Sequence, residues 1–216
     1  MRYLPLLYLL AAPVAAQTPA DTGLIRDQRA FDSLMTEVRT VDRTIGVEAR
    51  YFGANNFTGA PLPGYDADKA YLRNEAAAAL ARVQARLKRR HLGLLIYDAY
   101  RPVRATEAMV AWAERVGRKV ELVDGGYIAS RSRHNLGTTV DLTLIDLRTG
   151  MPLEMGTEFD TFSAAAHTAN ATGTAAENRR ILVEAMEAEG FQNYEQEWWH
   201  FTMRLASEPR FDVPVH

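Results

Sequence analysis

The stretch Ser132-Arg133-His134-Asn135-Leu136-Gly137-Thr138-Thr139-Val140-Asp141 sets a histidine and a carboxylate seven positions apart at the mouth of a strand-like run. From Thr139 the alternation is clean: Val140, Leu142 and Leu144 point one way, while Thr139, Asp141 and Thr143 point the other. Asp141 therefore faces away from the aliphatic row, and Gly137 permits a tight turn that folds His134 back beside it. A His-x6-Asp pair alone is weak evidence, because such pairs occur by chance. It gains weight from Glu197-Trp198-Trp199-His200 near the C-terminus, which offers a second carboxylate and a second imidazole. A catalytic zinc takes three protein ligands and keeps a fourth position for water, whose pKa it lowers to roughly 7. Read together, His134, Asp141 and His200 are candidate ligands and Glu197 a candidate general base.

Outward from this core, Leu94-Leu95-Ile96-Tyr97 reads as a buried strand leading into Asp98-Ala99-Tyr100-Arg101-Pro102. Pro102 stops the strand and can open the next helix, which carries Ala105, Met109 and Trp112. Arg101 thus sits where a core strand ends, open to a functional role or to a structural ion pair. Residues 67–90 give the strongest helix signal, a stripe of Leu72, Ala76, Ala79, Leu80, Val83 and Leu87 with Arg and Lys gathered at the C-terminal end. Phe31, Leu34, Met35 and Val38 recur at the spacing of a short amphipathic helix. Thr174-Ala175-Ala176-Glu177 fits a capping box before the stripe of Ile181, Leu182, Ala185 and Met186, and Gly190 ends that helix. Phe191 to Met203 reads as a returning strand pair, with regular alternation placing His200 on the face of Trp198 and Thr202.

Three segments are irregular. Tyr51 to Gly64 is rich in Gly, Asn and Pro yet carries aromatics, which either line a pocket or pin the loop to the core. Residues 116–131 turn at Gly125-Gly126. In residues 149–172, Asp160 between two aromatics suits a substrate ammonium group or, equally, an Asx-turn or N-cap, and His167 is structural or supports the site from outside it.

The 216 residues are 47% hydrophobic and 24% charged, an ordinary globular composition with no repeat and no second-domain boundary. A formal net charge of −2 gives no electrostatic case for nucleic acid or anionic membranes. The absence of cysteine excludes disulfides, thiolate metal ligation, a cysteine nucleophile and an acylated lipoprotein anchor. Arg2, the apolar run Leu4 to Val14 and the small residues Ala15-Ala16 before Gln17 describe a signal peptide over residues 1–16, cleaved near Ala16. The run falls short of the about 20 residues that span a bilayer. The expectation is an exported, periplasmic domain over 17–216 with no stable membrane association after cleavage.

Ser-x-His-x6-Asp followed by Glu-x-x-His, with Asp-x-Tyr-Arg-Pro upstream, resembles in that order the zinc D-alanyl-D-alanine dipeptidases, relatives of the zinc D,D-carboxypeptidases of bacterial cell walls. The likeness runs from the Tyr51 loop through Phe211-Asp212-Val213-Pro214-Val215. It implies a compact α+β domain whose small, mostly antiparallel sheet carries one Zn2+ per chain, with helices packed around it. It also implies that His134, Asp141 and His200 are the zinc ligands, that Glu197 is the base, and that Arg101 stabilises the tetrahedral intermediate. Tyr51, Ser132 and Asp160 fall where the family binds a small D,D-dipeptide, with Asp160 suited to its amino group. The alternatives are a D,D- or L,D-carboxypeptidase on longer muropeptides and a non-catalytic, zinc-stabilised binding module. The second is disfavoured by Glu197 and Arg101, which a structural zinc does not need. No Gly-x-Ser-x-Gly occurs to support a serine hydrolase.

Overall fold

The computed structural model describes residues 23–207 and 209–216, so the expected signal peptide of residues 1–16 lies outside the described residues. The chain runs β1 (Leu24–Ile25), α1 (Gln28–Leu34), β2 (Met35–Glu37), α2 (Val38–Val41), β3 (Gly46–Val47), β4 (Tyr71–Arg73), α3 (Asn74–Lys88), β5 (Leu92–Asp98), α4 (Val103–Arg115), β6 (Thr139–Asp146), α5 (Gly173–Glu187), β7 (Phe191–Tyr194), β8 (Glu197–Met203) and β9 (Arg210–Phe211). Five of these strands form the central sheet in the order β3-β5-β6-β8-β7. Its pairs are antiparallel except β3 with β5, which is parallel. Two small two-stranded sheets, parallel β1-β9 and antiparallel β2-β4, flank it. The α+β class holds, with a sheet larger and more mixed than expected.

The alternating aliphatics of β5 and β6 explain where the core sits. Leu94, Ile96, Val140, Leu142 and Leu144 are fully buried in one cluster with Ala76, Ala79, Leu80, Val83 and Leu87 of α3 and with Leu182 and Met186 of α5. Burying one such large side chain contributes roughly 1.5–3 kcal/mol. The surface pairs of Arg82 and Arg86 with Glu189, at 2.7 and 3.0 Å, are each worth at most about 1 kcal/mol. Apolar contact, not ion pairing, therefore fixes the helices on this face. A second apolar cluster, including Tyr51, Tyr65, Met109, Leu122 and Ile128, packs elsewhere. β6 is buried on both faces from Thr139 to Ile145.

Local periodicity misplaces three boundaries. Leu72 belongs to β4, so the long helix starts at Asn74, and Met35 to Glu37 leave the helical register to pair with Arg73, Leu72 and Tyr71. Strand pairing supplies backbone partners that a continued helix would forgo, and it overrides the 3.6-residue pattern. α5 begins at Gly173 behind Thr172, with no side-chain cap, so the Thr174–Glu177 capping box does not form. Residues 120–124 of the irregular segment form a π-helical turn closed at Gly125, where an added Cβ would lie 2.1 Å from Glu121 O.

Candidate active site and metal centre

His134 lies in a short 3-10 helix, Arg133–Leu136, whose N-cap Ser132 accepts from His134 N at 3.3 Å. Gly137 ends that turn at φ 68°, a left-handed conformation that calls for glycine. The turn folds His134 back to the start of β6 as the glycine implied. His134 Nδ1 lies 2.7 Å from Ala99 O; a carbonyl only accepts, so Nδ1 carries the proton and Nε2 presents its lone pair.

Asp141 pairs in register with His200 across β6 and β8, and residues opposite one another share a face. Asp141 Oδ1 is 3.0 Å from His200 Nδ1, and Oδ2 is 3.3 Å from His134 Nε2. One donor atom from each of the three lies within 4.8 Å of the others. His134 Nε2 and Asp141 Oδ1 are buried without a hydrogen-bond partner; the 3.0 Å contact of Oδ1 is close but not aligned as a bond. Such orphaned groups are costly in a dry site and are what a cation satisfies. Two imidazoles and a carboxylate form a donor set that suits a borderline divalent metal, and the residues fit one.

β8 departs from regular alternation where it carries Glu197. Tyr194 pairs with Glu197 while Asn193 pairs with Phe201, so Trp198 to His200 bulge out against β7. In consequence Glu197, Trp199 and His200 all line one cavity, whereas Trp198 lines a separate cleft and donates from Nε1 to Thr157 Oγ1 at 2.8 Å. The expected shared face of Trp198 and His200 is thereby corrected. Asn193, unmarked in the sequence, holds the bulge by donating to Glu197 O at 3.2 Å and His200 O at 3.1 Å. Glu197 Oε2 reaches within 3.4 Å of His200 Nδ1. Burial, with the Asp141 charge beside it, pushes its pKa up to about 7 against the pull of His200 and Arg101.

The cavity, of about 240 Å³, is lined by all eight residues expected at the site: Tyr51, Arg101, Ser132, His134, Asp141, Asp160, Glu197 and His200. It is small beside the roughly 300–1,000 Å³ of drug-sized ligand sites, which favours a small substrate. Asp160 adopts φ 59°, and Tyr51 donates to its Oδ2 at 3.0 Å. Burial, with Asp141 and Glu197 nearby, raises the Asp160 pKa well above the ordinary value, against the Tyr51 bond. Burial likewise holds the Tyr51 hydroxyl protonated, as a donor. Asp141, Asp160 and Glu197 thus bring three carboxylates to the cavity that the buried guanidinium of Arg101 also lines. The aromatic loop both lines the pocket and pins the core: Phe57 faces the cavity and packs edge-on against Trp112 and Phe162, at 5.1 and 5.2 Å.

Two further residues escaped sequence reasoning. Asp98, quoted only as part of a motif, accepts from Arg101 Nε at 2.9 Å and Nη2 at 2.7 Å. Arg179, on the buried side of α5, donates to the carbonyls of Met155, Ala165 and His167 and so clamps both ends of the loop bearing Asp160. His167 contributes its backbone to that clamp and lies outside the metal cluster.

A buried two-histidine, one-carboxylate centre with an acid and an arginine in the same small cavity defines a metallopeptidase-type site. The family model Peptidase M15, described as D-ala-D-ala dipeptidase, matches residues 33–213, and the chain belongs to that family of metalloenzymes. It is 38% identical over 180 residues to the D-alanyl-D-alanine dipeptidase of Enterococcus faecalis, covering 77% of this chain and 88% of that protein. It is 37% identical over 185 residues to the dipeptidase of the same name from Streptomyces coelicolor, covering 78% and 91%. A more distant likeness is to the crystal structure of the vancomycin-resistance D,D-dipeptidase VanXYg in complex with a D-Ala-D-Ala phosphinate analogue, with TM-score 0.41, 16% identity and coverage of 79% and 66%.

Proposed function

We propose that this protein hydrolyses D-alanyl-D-alanine to two D-alanines in cell-wall peptide turnover, using one zinc ion held by His134, Asp141 and His200. The observation that carries the reading is that these three donors converge within 4.8 Å on the cavity that Glu197 and Arg101 also line. Zinc, when bound, polarises the scissile carbonyl and lowers the pKa of water to roughly 7. Glu197 takes the proton of the attacking water and passes it to the leaving amine as the peptide C–N bond breaks. Arg101 offers a fixed positive charge to the developing oxyanion. Asp160, ionised once a cation sits against it, takes the dipeptide ammonium, while Tyr51 holds that carboxylate in place. Ser132 lines the same cavity and offers its hydroxyl to the dipeptide.

Purified mature protein supplied with zinc is expected to release free D-alanine from D-Ala-D-Ala, to stop on chelation, and to resume when zinc is restored. A muropeptide ending in the same dipeptide should be cleaved far more slowly, because it lacks the free ammonium that Asp160, held by Tyr51 at 3.0 Å, is proposed to take. Preferential cleavage of the muropeptide would make the protein a carboxypeptidase, and cleavage of neither would leave a zinc-binding module.

We also propose export to the periplasm, supported by Arg2, the apolar run Leu4 to Val14 and Ala15-Ala16. The secreted protein is expected to begin at Gln17 on N-terminal sequencing; full-length protein confined to the cytoplasm would refute this.

A further inference from the structure

Asp98 ends β5 and is 2% exposed, yet the chemistry above gives it no part. The β5–β6 register shifts between Ile96 and Asp98, an irregularity of the kind that re-aims a side chain at a strand end. Tyr65 donates to Oδ1 at 2.5 Å, and Arg101 gives both Nε and Nη2 to Oδ2. The other contacts of the guanidinium are weaker: Met109 Sδ at 3.3 Å, the face of Tyr51 at 5.1 Å and Asp141 Oδ2 at 3.9 Å. Burial disfavours the charged guanidinium, and Asp98 is the main neighbour that more than offsets this. His134 Nδ1 is 3.4 Å from Asp98 Oδ2, but its hydrogen bond goes to Ala99 O at 2.7 Å. Asp98 therefore serves the arginine before the metal ligand.

We infer that Asp98 is a positioning residue for the hydrolysis: it fixes Arg101 in a charge-assisted pair so that the guanidinium meets the oxyanion without reorganising, and Tyr65 fixes Asp98 in turn. The inference rests on the dipeptidase reading. A preorganised charge is worth far more than one that must first swing into place.

The test is a double-mutant cycle on zinc-loaded, full-domain protein: wild type, Asp98→Asn, Arg101→Met and the pair. Each is assayed for kcat and KM on D-Ala-D-Ala, for zinc content, and for affinity toward a phosphinate analogue of the tetrahedral intermediate. Removing one oxyanion donor commonly costs ~10²–10³ in rate, and Asp98→Asn is expected to lose ~10² in kcat with KM within about threefold and zinc retained. Phosphinate affinity should fall by a similar factor. In the Arg101→Met background, Asp98→Asn should cost less than about threefold more, because the two act as a unit. Additive losses, loss of zinc, or an unchanged kcat would overturn the inference. Should Asp98→Asn fail to fold, Tyr65→Phe replaces it, with a smaller loss that must also vanish beside Arg101→Met; a loss that persists there overturns the inference equally. A wild type that does not cleave the dipeptide overturns the dipeptidase reading and this inference with it. Additive losses in an active wild type overturn the inference alone.

Discussion

Glu197→Gln is expected to keep its zinc and to lose about three orders of magnitude in kcat, within the ~10²–10⁴ that a positioned acid–base group contributes. Gln is nearly isosteric and fills the same buried place at the start of β8, so the Asn193 contacts to the strand should survive. What is lost is the ability to accept a proton from water and return it to the amine. The pH profile adds a second readout. The base works ionised, so kcat/KM rises with pH through the pKa of Glu197. Burial sets that pKa at about 7 without a cation, and a divalent ion beside it favours the carboxylate and moves the acid limb to lower pH. In Glu197→Gln the residual rate should lose that limb. Metal analysis and a pH–rate profile on the same preparation decide the matter. A variant that sheds its zinc would mean that Glu197 is a ligand, and the roles proposed here would have to be exchanged.

Which residues would converge on the candidate site was more legible in the sequence than the architecture, for a physical reason. Ligands and acids are set by residue type and order, and the turn that brings His134 to Asp141 is announced by Gly137, whose φ of 68° few other residues tolerate. Strand β6 was readable because its alternation is uninterrupted from Thr139 to Leu144. Where local pattern failed, a distant partner had intervened. Met35 to Glu37 look helical but pair with residues 34 to 38 positions on, and Leu72 looks like the first turn of α3 but belongs to the answering strand. The bulge in β8 could not be read from Trp198-Trp199-His200, because it exists only relative to β7.

Asp98 and Arg179 were hidden for a different reason. Each is a charged residue whose work is done on a backbone or on another charge that only the fold brings near. Arg179 sits two positions before Ile181 in an apolar helix face, where periodicity assigns it nothing, and it spends its guanidinium on three carbonyls of the Asp160 loop. Asp98 was in plain sight beside Arg101, but a carboxylate three residues from an arginine is a common surface pair. Its burial is what makes it matter, since a buried guanidinium without a counter-charge is costly.

Asp141→Asn is expected to abolish turnover, by more than about three orders of magnitude, because it removes the anion that both imidazoles face. Asp141 is buried, which alone would raise its pKa, yet the positive charge that a proton on the facing histidines supplies in the metal-free site holds it well below the usual carboxylate range, as a cation in their place would. It is therefore ionised across the working pH and available as a ligand without first losing a proton. A carboxamide keeps the shape but not the charge, so two neutral imidazoles would face a dication with no anion between them. The consequence can be read without any substrate. A ligand that binds only the folded state stabilises it by about 2.7 kcal/mol at one hundred times its Kd. For a domain of this size, that corresponds to a rise in Tm of roughly 5–10 °C. The metal-free wild type should show that rise on adding zinc, and Asp141→Asn should shift by less than about 2 °C from its own zinc-free Tm. Differential scanning calorimetry with and without zinc makes the comparison. A full shift in Asp141→Asn would remove Asp141 from the ligand set, whatever its effect on turnover.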